Sequence, residues 1–179
     1  ARLLKALGVP GGQESGDDLH ITMIFLGDDI SMAQIQKAVK ATYEVTKDTE
    51  PFKVHTDTLT CFPMREGAAE CPIICKVESK ELLKFRKKLA KAYDDADVKY
   101  SKTFKEYKPH ITLAYNDVEI ETAKIDPVDF YVNEIVLWCG SRGDEQLFVT
   151  FPLKSPCVKK KSCVEIETDL FRKVVKIAK

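Results

Sequence analysis

The chain has 179 residues with 28 basic and 28 acidic side chains, enough for one domain with a substantial core and no net field to draw in nucleic acid at long range. No run of eighteen apolar residues occurs, which excludes a helical membrane span, and no signal-like segment opens the chain. The six cysteines, at 61, 71, 75, 139, 157 and 163, stand mostly in apolar, strand-like surroundings; they read as small buried thiols of a reducing compartment, the cytoplasm, and not as a disulfide framework.

Residues 2–7 look like the end of a helix stopped by Gly8 and Pro10. A polar, glycine-rich loop follows to Asp18, a plain connection or a cover for a pocket. Residues 19–27, Leu-His-Ile-Thr-Met-Ile-Phe-Leu-Gly, predict a strand in which His20 and Thr22 share one face while Ile21, Met23 and Phe25 line the other. Ser31 is placed to cap a helix from Met32 to about Thr46, with Ile35, Ala38, Val39 and Thr42 as its inner stripe. Residues 52–57 alternate as a strand and 58–62 continue it less regularly, until Pro63. After a turn over 64–70, residues 71–77 predict a hairpin partner. Ser79 caps a second helix over 80–93, with Leu82, Leu83, Phe85, Leu89 and Ala92 inside and its lysines and Arg86 on a solvated face.

A polar connection over 94–108 carries Tyr100, Phe104 and Tyr107. It leads into a second copy of the first pattern, Pro109-His110-Ile111-Thr112-Leu113-Ala114-Tyr115. A linker or short irregular helix is expected over 116–126, a long strand over 130–139, a turn over 140–145 holding Arg142, and a return strand over 146–152. Lys159, Lys160 and Lys161 open a basic tail over 154–179, which the body over 1–153 does not need. This order fits a two-layer α+β sandwich. A helix at residue 2 normally follows a strand that starts such a fold, so that strand is expected either upstream of Arg2 or dispensed with.

The chain has three histidines, and two of them stand in matched His-x-Thr patterns. A buried structural histidine explains either one alone, but poorly explains the pair. Imidazole gives or takes a proton near neutral pH, so two of them across a cleft can divide the work: one deprotonates a nucleophile, the other protonates a leaving group. A threonine hydroxyl two residues on suits an anionic oxygen. Two histidines and two threonines around one point make a near-symmetric anion site suited to a tetrahedral phosphodiester. No motif carboxylate completes a zinc set, and Cys71 and Cys75, four apart, are a weak metal signal. No metal and no cofactor are therefore expected. His55 lacks a threonine two residues on and reads as a surface or core histidine. Tyr107, Tyr115 and Phe25 flank the motifs and are candidates to meet a base, with core packing the alternative for the tyrosines; Arg142 is a candidate for a phosphate or a solvated turn residue. Phe62 is assigned to core packing, with the mouth of the cleft as the alternative, and Trp138 to core packing.

These residues resemble the two-histidine phosphoesterase superfamily, which includes the RNA 2',3'-cyclic phosphodiesterases once called 2'-5' RNA ligases. The signature is a pair of His-x-Thr or His-x-Ser motifs with apolar flanks; the proline before His110 and the glycine after the first strand also match. The resemblance spans about residues 3–153, and the loop over 10–12 more loosely resembles phage-encoded members. It implies a bilobal, pseudo-two-fold α+β fold with antiparallel sheets around a central cleft, helices outside, and one motif strand from each lobe. It implies His20 and His110 as the acid–base pair, Thr22 and Thr112 as ligands of the phosphate oxygens, and a 2'-phosphate as the usual product. The implied substrate is a nucleotide or an RNA end. A cyclic dinucleotide of immune signalling, or a nucleotide- or RNA-binding module without turnover, are the alternatives. A monomer is expected, its tail docking a protein partner or joining further chain.

Overall fold

The structure, a computed structural model, describes residues 19–103, 106–139 and 147–154. The expected N-terminal helix and loop, the turn holding Arg142, Phe104 and the basic tail lie outside the described residues. The elements are α1 (Met32–Thr46), β1 (Phe52–Cys61), β2 (Cys71–Glu78), α2 (Lys80–Asp95), β3 (His110–Asn116), β4 (Ala123–Val132), β5 (Glu134–Cys139) and β6 (Leu147–Pro152). They form an α+β fold with two antiparallel sheets flanked by helices. One sheet has the order β3-β2-β1-β4, the other is the pair β5-β6. The described residues divide into two compact units, 19–23 with 54–80, 102–103 and 106–130, and 24–53 with 81–101, 131–139 and 147–154, consistent with the bilobal architecture that the resemblance implies.

The first unit is built on the four-stranded sheet. Strands β1 and β2 form the expected hairpin, with Leu59 opposite Cys75 and Cys61 opposite Ile73. Strand β2 pairs in turn with β3, Cys75 opposite Ile111 and Ile73 opposite Ala114. These pairings gather Leu59, Ile73, Cys75 and Ala114 into a buried cluster, with Cys61, Leu113, Ile120 and Ile125 packed against it. The alternation of apolar and polar residues along β1 and β2 is thus the division between a core face and a second face. Cys61, Cys71, Cys75 and Cys139 are free thiols, and burial pushes Cys71, Cys75 and Cys139 above the usual thiol range.

In the second unit, α1 has the expected bounds: the Ser31 hydroxyl accepts from the Gln34 backbone N–H at 3.3 Å, and the predicted stripe of Ile35, Ala38, Val39 and Thr42 is buried. On α2, Leu82, Phe85, Leu89 and Tyr93 are buried. Leu83 is not: at 41% exposure it corrects the predicted inner face, because it lies one residue off the stripe that repeats at three and four. A hydrogen bond of 2.8 Å between the Thr42 and Tyr93 hydroxyls ties the two helices, and Phe52 packs on Phe85 with centroids 5.8 Å apart.

Three further strand expectations change. The strand expected over 130–139 is two strands, since β4 ends at Val132 in the four-stranded sheet and β5 begins at Glu134 in the other. Asn133 makes the break; its carbonyl accepts from the Leu153 N–H at 2.8 Å. The linker expected over 116–126 ends at 122, because Ala123 already belongs to β4. Trp138, assigned to the core, is 38% exposed and stacks on Phe148 at 5.5 Å. Their register partnership on β5 and β6 sets both rings outward, while Leu137 and Val149 turn inward.

Candidate active site

Strand β3 carries the second motif from its first residue. The Pro109 carbonyl accepts from the Val77 N–H at 3.0 Å, so the chain is tied to β2 immediately before His110. Proline also biases Lys108 toward extended backbone. The Lys108 carbonyl then takes a hydrogen bond of 2.7 Å from His110 Nδ1. A carbonyl can only accept, so Nδ1 carries the proton and Nε2 is left as the basic nitrogen of the neutral ring. The Phe62 ring meets the imidazole in a T-shaped contact, centroids 4.8 Å apart. Phe62, assigned to the core, is instead half-buried against His110, because it continues β1 on the second face: its N–H donates to the Pro72 carbonyl at 3.1 Å.

The first motif does not form the expected strand. Among the described residues a single antiparallel bridge joins Ile21 to Ile111, and residues 22–27 belong to no strand. That bridge is nevertheless sufficient to set the register. Carried one residue either way, it brings His20 opposite Thr112 and Thr22 opposite His110. All four then share the face opposite Ile21 and Ile111. Opposed side chains stand about 4.5–5.5 Å apart at Cβ and diagonal ones about 7–8 Å. In that register the two imidazoles form a diagonal pair. Both histidines fall in the first unit, whereas the resemblance implies one motif strand from each lobe; the bridge to β3 is the reason.

Tyr107, a candidate for base contact or core packing, has a further role. Its hydroxyl donates to the Thr22 carbonyl at 3.0 Å and meets the Met23 sulfur at 3.5 Å. It clamps the first motif where the backbone ladder is missing.

Register also moves Tyr115. Regular alternation would set it with Ile111 and Leu113, but a bulge lies between the partners of Ile73 and Ile74. Ile74 pairs with Thr112 and Ile73 with Ala114, so Leu113 is the extra residue. The parity switches there: Ala114 enters the core, fully buried, and Tyr115 joins the face of His110 and Thr112, 40% exposed. Three rows cross this face: His110, Lys76 and Thr58; Thr112, Ile74 and Thr60; Tyr115, Pro72 and Phe62.

His20 and Thr22 are exposed, and His110 and Thr112 are half-buried. Phe25 is 53% exposed and belongs to the second unit, where its carbonyl accepts from the Ser101 N–H at 2.8 Å. His55, the third histidine, pairs with Asp129 at 2.7 Å on partly exposed surface. Among the described residues, no group of three or more His, Cys, Asp or Glu could hold a metal ion, and no helix is long and apolar enough to cross a membrane.

An α+β fold with two antiparallel sheets and two His-x-Thr segments bridged on one face defines a class of phosphoesterase. The model of the 2'-5' RNA ligase superfamily matches residues 12–144, and the chain belongs to that superfamily, the two-histidine phosphoesterases. Solved structures share the fold at low identity. TT0787 of Thermus thermophilus is 19% identical over 87% of this chain and 92% of its own, with a TM-score of 0.62. LigT of E. coli complexed with 3'-AMP is 17% identical over 86% and 89%, with a TM-score of 0.59. A structure described as a phosphoesterase is 16% identical over 81% and 82%, also at 0.59. No curated protein matches the chain.

Proposed function

We propose that the protein is a phosphodiesterase that opens 2',3'-cyclic phosphates, or cleaves short 2'-5' or 3'-5' oligonucleotides, by acid–base catalysis at His20 and His110 without a metal. The observation that supports this reading is the Ile21–Ile111 bridge, whose register, carried to the neighbouring residues, is the one that two imidazoles and two threonine hydroxyls on one face require. In the proposed reaction, one imidazole takes a proton from water. The water oxygen forms a bond to phosphorus while the bond to a ribose oxygen breaks on the opposite side. The second imidazole gives its proton to that departing oxygen. Thr22 and Thr112 donate to the non-bridging oxygens as charge builds on them. The Lys108 carbonyl suits His110 to either role, since it keeps the Nδ1 proton in place while Nε2 accepts or donates.

Nucleotide ligands in the LigT structures, which hold 3'-AMP, NADP+ and ATP, support a nucleotide substrate. Tyr115, on the same face as Thr112, is the proposed platform for its base, and the balanced charge of the chain favours one or two nucleotides over an extended strand. The test is a substrate panel run with chelator: nucleoside 2',3'-cyclic phosphates, short 2'-5' and 3'-5' oligonucleotides, and cyclic dinucleotides. Turnover is expected to gain little beyond about three nucleotides, because no long electrostatic track is available. Complete loss with chelator, restored by zinc or manganese, would overturn the metal-independent reading. Preference for the cyclic dinucleotides would reassign the substrate, and tight binding without turnover would make the protein a binding module.

A further inference from the structure

The two threonines are neutral donors, yet a phosphodiester is an anion that gains a second negative charge on the way to the pentacoordinate transition state. A cation on the same face would answer that charge, and one is present. Lys76 stands opposite His110 in the β2–β3 pairing and opposite Thr58 in the β1–β2 pairing. It is exposed, between buried Cys75 and buried Val77, so it projects to the face that holds the motif.

Its neighbours make the contrast. Lys124 donates to the Asp57 carboxylate at 2.7 Å and to the Thr58 hydroxyl at 3.0 Å. Lys108 has Glu106 at 4.0 Å. Lys76 has no hydrogen-bond or ion-pair partner among the described residues. Glu78, two residues on, stands opposite His55, whose ring is already paired with Asp129. Lysine is depleted in strands, and its usual service there is to blunt an edge against aggregation. That service does not apply, because β2 is an inner strand with β3 on one side and β1 on the other.

Resting on the paired-histidine reading, we propose that Lys76 binds a non-bridging oxygen of the substrate phosphate at His110 and supplies the positive charge that the motif lacks. Opposed Cβ atoms about 5 Å apart put that oxygen within reach of the lysine stem. Lys76 thereby selects for the anionic phosphodiester over neutral esters of the same shape.

The test is steady-state hydrolysis of a nucleoside 2',3'-cyclic phosphate by the full chain and by Lys76→Gln, Lys76→Met and Lys76→Arg, with thermal melting of each. The neutral variants should lose about tenfold to a hundredfold in kcat/KM, as expected for one hydrogen bond between charged groups, with KM carrying part of the loss. Arginine should recover most of it. Added salt should depress the native protein more than the neutral variants, because it screens the charge that they lack. Two neutral residues of different shape guard against a variant that fails to fold. Native-like kcat/KM in a folded neutral variant, with the native protein active, overturns the role of Lys76 alone. Equal losses in the arginine and neutral variants, unchanged by salt, also overturn it. A native protein with no turnover overturns the paired-histidine reading and this inference together.

Discussion

Removing the Tyr107 hydroxyl tests how the first motif is held. Backbone pairing to β3 is one bridge, Ile21 to Ile111, and the Tyr107 hydroxyl adds a hydrogen bond to the Thr22 carbonyl at 3.0 Å with the Met23 sulfur at 3.5 Å. Tyr107→Phe keeps the ring and deletes the donor. One such bond is worth about 0.5–1.5 kcal/mol net, which corresponds to about a twofold to twelvefold change in the population of the clamped segment. That clamp holds the backbone two residues from His20, and small misplacements of a catalytic group are costly in rate. Where the clamped state is the competent one, kcat should therefore fall by about two- to twelvefold, with KM changed less. Because the segment carries so little backbone pairing, the melting temperature should hardly move. Steady-state kinetics on a nucleoside 2',3'-cyclic phosphate, with calorimetry on the same samples, reads both quantities. Unchanged kcat would refute the clamp, and a kcat loss accompanied by a large drop in melting temperature would make the bond a general stabiliser.

Tyr115→Ala should raise KM for a nucleotide by about fivefold or more while Tyr115→Phe does not, since one base stack is worth about 1–3 kcal/mol; equal KM in both would remove the base platform. Thr56→Val should stabilise the fold by about 1 kcal/mol in urea denaturation, because the buried Thr56 hydroxyl lacks a hydrogen-bond partner among the described residues and such a group costs about 1–3 kcal/mol. The Cys75 thiol lies beside that hydroxyl, but sulfur is a weak partner, and destabilisation by the valine would show the contact to matter. The Lys124 hydrogen bond, seconded by Thr58, holds the Asp57 carboxyl below its ordinary range. A lowered folded value means stability present above the unfolded value of about 3.9 and lost as pH falls through the folded one. Carboxyl titration by NMR should show the Asp57 midpoint rising in Lys124→Gln; an unmoved midpoint would contradict the pairing.

The helices were legible because their signals are local. The Ser31 cap and the apolar stripe place α1 within the chain without reference to any partner. The β1–β2 hairpin was legible for the same reason, as an alternating run over 52–57 and an apolar run over 71–77 separated by a turn. His20, Thr22, His110 and Thr112 stood out because a repeated pattern of rare residues survives without knowledge of the fold. Register was not legible. A single extra residue at Leu113 moves Tyr115 from one face to the other, and nothing in the local alternation announces it. Nor does an extended apolar run declare whether it will find a full ladder, which is why residues 19–27 looked like a strand. Lys76 was missed because its meaning is its partner: on β2 alone it is an outward lysine, and only the pairing with β3 sets it beside His110. A proline in front of His110 biases Lys108 toward extended backbone, but the Lys108 carbonyl contact that fixes the ring appears only in the structure.

The central claim is that two imidazoles divide two proton transfers between them, one taking a proton from water and the other giving one to the departing oxygen. It is tested most directly by the turnover of a nucleoside 2',3'-cyclic phosphate, in the presence of chelator, by His20→Ala and His110→Ala. Each variant should keep the circular dichroism of the native protein and lose about a hundredfold or more in rate, the scale of a lost general acid or base. Native turnover in either folded variant would contradict the account.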